Sequence, residues 1–191
     1  MKELQNLLKE LIGLTESEWE NFCINLKRKE FKAKTILINE GNIAKNIYFI
    51  ESGLLRTYHL QDGKEINTYF ACDNQFISTF SSFISQTASF EIMETIEDSI
   101  VYELSYQSLT TLYVESSKFE KLGRLLAEKN YLCVLDRTLT MQTKTAKQKY
   151  LDFIKNYNQK IIRRVPQHQI ASFLGIAPES LSRVRKEISI S

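Results

Sequence analysis

The segment from Gln167 to Glu187, QHQIASFLGIAPESLSRVRKE, constrains the fold more than any other part of the chain. A helix-turn-helix needs a small residue where its two helices cross and a glycine in the turn, where φ is positive. Ala171 and Gly175 meet these two needs, and Pro178 suits the first turn of a second helix. The pattern therefore predicts two short helices joined by a tight turn. Five apolar residues would lock them together: Ile170, Leu174, Ile176, Leu181 and Val184.

The second of these helices carries polar residues spaced i, i+3, i+4 and i+7, which share one outward face. They are Glu179, Ser182, Arg183 and Lys186. Arginine can donate two hydrogen bonds to guanine, glutamate can accept one from the cytosine amino group, and serine can bond to either kind of base edge. The face therefore predicts a helix that reads DNA bases, although a helical hairpin with a solvated face has the same spacing.

The charge of the chain changes sign along its length. Residues 65–117 contain eight acidic residues and no lysine or arginine, whereas residues 118–191 contain fifteen basic and six acidic residues. The last third therefore carries a net charge of +9, and a basic segment of this kind favours nucleic acid as a partner. Residues beside the base-reading face would then contact DNA phosphates: His168, Ser180 and Arg185.

Between Lys29 and Leu104 the sequence is typical of short β-strands. The β-type runs are TILIN, NIYFIES, LLRTYHL, EINTYFA and SIVYELS, at residues 35–39, 46–52, 54–60, 65–71 and 99–105. Turn signals separate these runs, and Asp62-Gly63 is a strong one because glycine tolerates the positive φ of a tight hairpin. Several short strands at this spacing predict a β-sandwich or a barrel-like roll.

Helical periodicity flanks the β region. Apolar residues predict a helix at residues 3–12, and Thr15 with Glu18 has the form of a capping box that begins a second short helix. A further short helix is predicted from Ala146 to Tyr157.

From Lys118 to Met141 the chain has no proline, and its apolar residues lie on two flanks of one long helix. Such a helix needs two surfaces to pack against, and the chain offers its own β domain and a second copy of itself. We therefore expect a homodimer. The flank that meets the second copy would contain Leu125, Leu132, Leu135 and Leu139.

The sequence lacks the residue clusters that catalysis or metal binding needs. Cys23, Cys72 and Cys133 are far apart, and the two histidines, His59 and His168, lie in different segments. We therefore expect no metal, no cofactor and no enzymatic activity. No run approaches the roughly 18 apolar residues of a membrane span, so a cytoplasmic protein is expected.

Two stretches, NIYFIESGLLRTYHLQDGKEINTYF and IASFLGIAPESLSRVRKEI, resemble the roll strands and the DNA-reading end of the Crp/Fnr family of bacterial transcription regulators. The resemblance covers nearly all of the chain and implies an α+β fold in three parts. A double-stranded β-helix (jelly-roll) domain of the cyclic-nucleotide-binding type, with N-terminal helices, would span 1–117. A dimerisation helix would span 118–143, and a winged-helix-like helix-turn-helix domain would span 144–191. The family's partners would be DNA with a near-palindromic site, a second copy of the chain and RNA polymerase.

The resemblance also assigns roles within the helix-turn-helix. Glu179 and Arg183 match the acid and the arginine with which the family reads bases, whereas Pro178 stands where some members carry a further base-reading arginine. A wing would have to come from residues before the helix-turn-helix, such as KIIRRVP at 160–166. Arg163 and Arg164 would then contact the DNA backbone.

The effector site is where this sequence departs from the family. Members that bind cyclic AMP hold the ribose with a Gly-Glu-Leu run and the phosphate with a nearby arginine, but QFISTFSSFISQTASFEIMET at 75–95 has neither. Burying a phosphate beside Glu91 and Glu94 without a cation would be unfavourable. We therefore expect no response to cyclic AMP. The alternative is that the partner's long helix supplies a cation from Lys121, Arg124 or Lys129.

What remains of the effector site is a wall of phenylalanine and serine side chains. Its residues are Phe76, Ser78, Phe80, Ser81, Ser82, Phe83 and Phe90. This wall either holds an apolar or neutral ligand or is filled by its own side chains. A ligand-binding β-roll module with weak or lost DNA binding is the alternative to a transcription regulator.

Overall fold

The computed structural model describes the backbone of residues 1–190 of the 191-residue chain and the side chains of residues 1–188. Its helices are α1 (Lys2–Ile12), α2 (Glu16–Ile24), α3 (Phe80–Ser85), α4 (Tyr106–Glu115), α5 (Ser117–Thr143), α6 (Ala146–Asn156), α7 (Gln159–Arg164), α8 (Gln167–Leu174) and α9 (Pro178–Ile190). Its strands are β1 (Leu26–Phe31), β2 (Ile36–Ile38), β3 (Asn46–Ser52), β4 (Leu54–Gln61), β5 (Lys64–Cys72), β6 (Phe76–Ile77), β7 (Ile92–Thr95) and β8 (Ser99–Ser105).

These strands form a β-roll of two four-stranded sheets, in the orders β1-β8-β3-β6 and β2-β7-β4-β5. The pairings are antiparallel. The five strands predicted from the sequence are confirmed as β2, β3, β4, β5 and β8. β1 gives no strand signal in the sequence because LKRKEF is mostly charged, and β6 and β7 give none because they contain only two and four residues.

The predicted hairpin between β4 and β5 is confirmed. Gln61 pairs with Lys64, and the two residues between them, Asp62 and Gly63, have φ of 51° and 74°. Positive φ at both central positions is the type I′ arrangement, whose twist matches that of the flanking strands.

The first hydrophobic core joins the N-terminal helices and the start of α5 to the β-roll. Leu4, Leu8 and Phe22 are fully buried. The Phe22 ring stacks on that of Phe119 in α5, with 5.6 Å between ring centroids. The predicted helices at 3–12 and after Thr15 are confirmed, as is the long helix after residue 117, which has 27 residues.

The C-terminal helices pack on the outer face of the second sheet. Their core contains Tyr150, Phe153 and Phe173, and it continues into Leu54 of β4 and Phe70 of β5. The Phe70 and Phe173 rings are 5.2 Å apart. The helix-turn-helix therefore shares a hydrophobic core with the β-roll.

The segment expected to supply a wing, KIIRRVP, lies in and just after helix α7. Asn158 begins this helix by accepting a hydrogen bond from the Lys160 N–H group at 2.8 Å. Between residues 144 and 190, the described C-terminal part of the chain, no strand is present that would form a wing. None of the described helices combines the length and the apolar character needed to cross a bilayer.

Candidate nucleic-acid interface and effector cavity

Helices α8 and α9 form the two arms of the predicted helix-turn-helix. Gly175, directly after α8, has a φ of 60°, and α9 begins at Pro178, as the sequence indicates. The Ile176 N–H group donates to the Ala171 carbonyl at 3.0 Å and closes the turn. The apolar residues that lock the two helices are buried or half-buried: Ile170, Ala171, Leu174, Ile176, Leu181, Val184 and Ile188.

The exposed face of α9 contains the four residues predicted to read bases: Glu179, Ser182, Arg183 and Lys186. Leu181 and Val184, which lie among them along the helix, turn into the core. Because the inward residues fix the rotation of the helix, the polar face is held toward solvent. The prediction of one shared outward face is confirmed, and its use in reading DNA stays a prediction.

The residues predicted to contact the DNA backbone are more scattered. Arg163, Arg164, His168 and Arg185 are exposed, and Ser180 is half-buried. The two arginines at 163 and 164 lie in the last turn of α7. Arg164 Nη1 is also 3.9 Å from a carboxylate oxygen of the β-roll, so part of its charge is compensated within the chain.

A cavity of about 640 Å³ lies between the β-roll and α5, and α1 contributes Leu7 and Leu11 to its lining. Five of the seven wall residues predicted from the sequence also line it: Phe76, Ser78, Phe80, Ser81 and Phe90. These five residues therefore face an open space, and binding of a ligand in that space stays a prediction.

The other two predicted wall residues, Ser82 and Phe83, do not line the cavity because they turn into the protein. Ser82 Oγ accepts a hydrogen bond from the Ala44 N–H group at 3.0 Å and donates one to the Thr87 carbonyl. The Phe83 ring packs edge-on against Tyr106, with centroids 5.6 Å apart. These two residues hold α3 on the roll.

Polar residues that the sequence analysis missed line the same cavity. Thr57 Oγ1 and Thr68 Oγ1 are 2.7 Å apart, and Thr68 Oγ1 donates to Glu91 Oε1 at 2.5 Å. His59 lies on the same wall, and its Nδ1 is buried without a hydrogen-bond partner among the described residues. These side chains meet because of the strand register, which no local sequence pattern shows.

Glu94 does not share the cavity with Glu91, because side chains alternate between the two faces of a strand. Its Oε2 accepts from Arg56 Nη2 at 2.6 Å. The buried Arg56 guanidinium also pairs with Glu65 at 2.5 Å and donates to Asn67 Oδ1 at 3.1 Å. Of the two acidic residues expected at the wall, only Glu91 therefore lines the cavity.

The cations of the cavity come from the chain's own α5. Lys129 and Arg137 both line it, with Cys133 between them. Residues spaced four apart lie on one flank of a helix, and this spacing is the sequence signal that could have found them. Lys129 was expected only as a contribution from a partner's helix, and Arg137 was not predicted at the cavity.

Arg137 joins the cavity to the helix-turn-helix. Its Nη2 donates to the Asn67 carbonyl at 2.7 Å and its Nη1 to the Thr68 carbonyl at 3.4 Å. Its Nε donates to the Phe173 carbonyl of α8 at 3.4 Å, and the guanidinium lies 4.9 Å from the centroid of the Phe173 ring. Burial lowers the pKa of Arg137 because the charged form loses its hydration.

Two further contacts hold α7 and α8 on the β-roll. Ser172 Oγ donates to the Glu65 carbonyl of β5 at 2.7 Å. The Lys160 ammonium group of α7 lies 2.7 Å from Asp73 and 2.8 Å from Glu97. The helix-turn-helix is therefore attached to the roll by polar contacts as well as by the shared core.

The outer flank of α5 carries an apolar stripe formed by Leu132, Leu135 and Leu139, which are 60 %, 40 % and 51 % exposed. Leu125, predicted to share this flank, is half-buried and lines the cavity instead. The early turns of α5 pack against α1, so the leucines that remain exposed on this flank are the later ones. Dimerisation through this stripe stays a prediction.

Residues 28–116 match the cyclic nucleotide-binding domain family. Comparison with curated protein sequences finds no match. Among solved structures, the chain is similar to FixK2 from Bradyrhizobium japonicum, with 17% identity, a TM-score of 0.76, and 86% of this chain and 85% of that chain covered. It is also similar to CLP from Xanthomonas campestris, a c-di-GMP-responsive global regulator, with 18% identity, a TM-score of 0.69 and 92% of each chain covered. A Crp/Fnr-family transcriptional regulator from Eubacterium rectale has 20% identity and a TM-score of 0.70, with 93% of this chain and 85% of that chain covered.

These likenesses define the class of fold. The chain has the architecture of the Crp/Fnr transcriptional regulators, in which a β-roll, a long helix and C-terminal helices follow one another. Its β-roll, with the helix that follows it, is the part that matches the cyclic nucleotide-binding domain family. The fold class predicted from the sequence is confirmed.

Proposed function

We propose that the protein is a sequence-specific DNA-binding transcription regulator of the Crp/Fnr type. The observation that carries this proposal is the polar face of α9, where an acid, a hydroxyl and two cations are exposed together on a helix whose rotation is fixed by its core. This combination has the hydrogen-bonding groups needed to read base edges in the major groove. The net charge of +9 over residues 118–191 favours the same partner.

The regulator acts as a homodimer on a near-palindromic site. The exposed stripe of Leu132, Leu135 and Leu139 supports this part of the proposal, because burying a leucine side chain stabilises an interface by about 1.5–3 kcal/mol. Two copies related by a two-fold axis would present two α9 helices to two half-sites. The functional division at residues 117 and 143 follows from this arrangement. RNA polymerase is the further partner in the cytoplasm, and no catalytic role is proposed.

Independence from cyclic AMP is part of the proposal: the roll side of the cavity carries a carboxylate, Glu91, and no arginine or lysine, and of the two cations on the α5 side Arg137 already donates to three backbone carbonyls. One observation favours a second function, that of a ligand-binding module with weak DNA binding. The cavity of about 640 Å³ has the size of a small-molecule site, for which roughly 300–1,000 Å³ is usual.

The test is selection of binding sites from a random DNA pool with the purified, ligand-free chain, followed by titration of the enriched site at several salt concentrations. We expect a two-fold symmetric site. The logarithm of its binding constant should fall linearly with the logarithm of salt concentration, and cyclic AMP should not change the binding constant. No enrichment, or binding without symmetry, would favour the ligand-binding module. Enrichment only with cyclic AMP would overturn the effector part of the proposal.

Substitution of Arg183 separates base reading from charge. Arg183→Ala should weaken binding to the selected site by about tenfold or more and relax the base preference at one position of each half-site. Lys121→Ala, on the exposed early part of α5, removes one positive charge away from α9 and serves as the matched control. Equal losses for the two variants would mean that α9 contributes only charge.

A further inference from the structure

The cavity combines an apolar wall with a cationic side, and this combination indicates the chemistry of its ligand. Side chains of α1, β6, α3 and the segment before β7 form the apolar wall: Leu7, Leu11, Phe76, Phe80 and Phe90. Lys129 and Arg137 of α5 also line the cavity. A molecule that fits both parts is amphipathic, with an apolar body and a polar group that meets the cations.

The lining carries more positive than negative charge. Lys129 and Arg137 contribute two cations, and Glu91 is the one carboxylate among the lining residues. Within the described chain the Lys129 ammonium group forms no ion pair or hydrogen bond, whereas Glu91 already accepts a hydrogen bond from Thr68. An excess of positive charge in a partly enclosed site favours an anion over a neutral molecule or a cation.

The charge of Arg137 is incompletely compensated by its present partners. Its three acceptors are neutral backbone carbonyls, and two of the three hydrogen bonds, to Thr68 and Phe173, are 3.4 Å long. A carboxylate carries a full negative charge and can accept two parallel hydrogen bonds from one guanidinium, which separate neutral carbonyls do not offer. A carboxylate in the cavity would therefore replace two weak contacts with stronger ones.

His59 lies beside Phe90 on the apolar side of the cavity, and the two rings meet edge-on with centroids 6.4 Å apart. Its Nδ1 is buried without a partner among the described residues and is not exposed to the cavity, so the polar contacts of a ligand fall to Lys129 and Arg137.

We propose that the cavity binds a small organic monocarboxylate with an apolar body, and that Lys129 and Arg137 recognise its carboxylate. The proposal rests on the proposed function in taking this acid as the effector of the regulator. Because Arg137 also donates to the Phe173 carbonyl of α8, a carboxylate that draws the guanidinium into the cavity releases one contact of the helix-turn-helix. The bound acid thereby changes how α8 is held.

The test compares ligands that share one alkyl chain and differ in the charge of the head group. Octanoate, 1-octanol, octylammonium and cyclic AMP are titrated into the purified full chain by calorimetry, without DNA. Octanoate should bind about tenfold more tightly than 1-octanol, as a charge-assisted hydrogen bond implies, and octylammonium should bind more weakly than either. Because no DNA is present, a failure of ligand binding is distinguishable from a failure of DNA binding.

Variants of α5 identify the side chains that read the carboxylate. Lys129→Gln should reduce octanoate affinity by about fivefold, because it removes a cation that attracts the carboxylate, and it should leave the affinity for uncharged 1-octanol unchanged. Since Lys129 is exposed, the substitution should cost the fold little. Lys121→Gln, outside the cavity, should change neither affinity. Arg137→Lys keeps the positive charge but loses the planar guanidinium that can donate two hydrogen bonds to one carboxylate. It should therefore weaken octanoate binding less than Arg137→Gln does.

Equal affinity for octanoate and 1-octanol, or no binding of octanoate at millimolar concentration, would overturn the proposal. Tightest binding of octylammonium would show that Glu91 dominates the site and would also overturn it. Tighter binding of cyclic AMP than of octanoate would assign the cavity to a phosphodiester anion instead. Lost DNA binding with retained octanoate selectivity would contradict the proposed function and leave the ligand proposal standing.

Discussion

Glu18 joins the start of α2 to the start of α5. Its Oε2 accepts from the Thr15 N–H and hydroxyl groups at 2.8 and 2.7 Å and from the Lys118 ammonium group at 2.6 Å. Lys118 also donates to the Gly13 carbonyl at 2.9 Å. The hydrogen bond from Lys118 is the largest cause that lowers the pKa of Glu18 from 4.5 to about 2. The charged form of one residue therefore stabilises two helix starts.

Glu18→Gln should destabilise the fold in a pH-dependent way. A folded pKa of about 2 below an ordinary 4.5 means that the carboxylate contributes fully above pH 4.5, and that this contribution is lost as the pH falls toward 2. Because the side chain is partly exposed, we expect a loss of about 1 kcal/mol at pH 7. Urea unfolding should be measured at pH 7 and pH 3. The difference in the free energy of unfolding between the variant and the wild-type chain should be smaller at pH 3.

Glu20→Gln is the matched control for this measurement, since Glu20 is an exposed acid on the same helix. A gap for Glu18→Gln that stays constant with pH would mean that packing, not the carboxylate charge, is the cause. The capping box of Thr15 and Glu18 was predictable from the sequence because its partners are three residues apart. Lys118 was not, because it is 100 residues from Glu18 and the pair depends on how α2 meets α5.

Helix α7 is a short segment whose structure differs from the wing expected from the sequence. KIIRRVP was the candidate for a wing because it directly precedes the helix-turn-helix. In the structure Ile161 of α7 and Val165, directly after α7, are both buried. Asn158, the residue before α7, caps the start of this helix. The decisive information was the core that the two apolar residues enter, and that core is formed by distant segments.

The long helix was easier to predict than its partners. Two apolar flanks over 27 residues required two surfaces, and Phe119 and Leu122 are buried while Leu132 and Leu139 are exposed. The heptad spacing predicted Leu125 on the exposed flank with Leu132 and Leu139. Heptad spacing shows on which side of the helix a residue lies, but it does not show how far along α5 the packing of α1 extends. Thr57 was missed because strand register, which no local sequence pattern shows, brings it to the cavity, whereas the four-residue spacing of Lys129, Cys133 and Arg137 could have found Arg137.

Charge on the exposed stripe of α5 should separate the two copies of the chain. Leu132→Glu combined with Leu139→Glu places like charges across a two-fold interface, which disfavours a dimer without disturbing the core. Light scattering after size exclusion should give a monomer at micromolar concentration. Affinity for a full near-palindromic site should fall by about a hundredfold or more, since one half-site then binds without the other.

Val114→Glu is the control for the stripe variant, because Val114 is 90 % exposed on α4 and lies outside the stripe. Circular dichroism should be the same for both variants and the wild-type chain. A stripe variant that remains dimeric would place the interface on another surface. A wild-type chain that is monomeric at all concentrations would remove the dimer from the proposed function.

The opposite charges of the middle and last thirds of the sequence meet within the folded chain. The positive charge of residues 118–191 predicts a nucleic-acid partner. Part of it faces the acidic roll instead, since Lys160 pairs with Asp73 and Glu97 and Arg164 lies near Glu97. The sign reversal was visible in the sequence, but its internal pairing required the placement of α7 on the roll. That placement decides how firmly the helix-turn-helix is held.

Removal of the Lys160 charge should loosen this attachment. Lys160→Gln leaves Asp73 and Glu97 facing each other without their shared cation, so the contact between α7 and the roll weakens by about 1 kcal/mol. Hydrogen exchange of backbone amides in α7 and α8 should accelerate about fivefold, while exchange in the strands of the roll should not change. Lys155→Gln, an exposed lysine of α6, is the control that removes the same charge outside the contact. Unchanged exchange in α7 and α8 would mean that the shared core of Phe70 and Phe173 alone holds the helix-turn-helix on the roll.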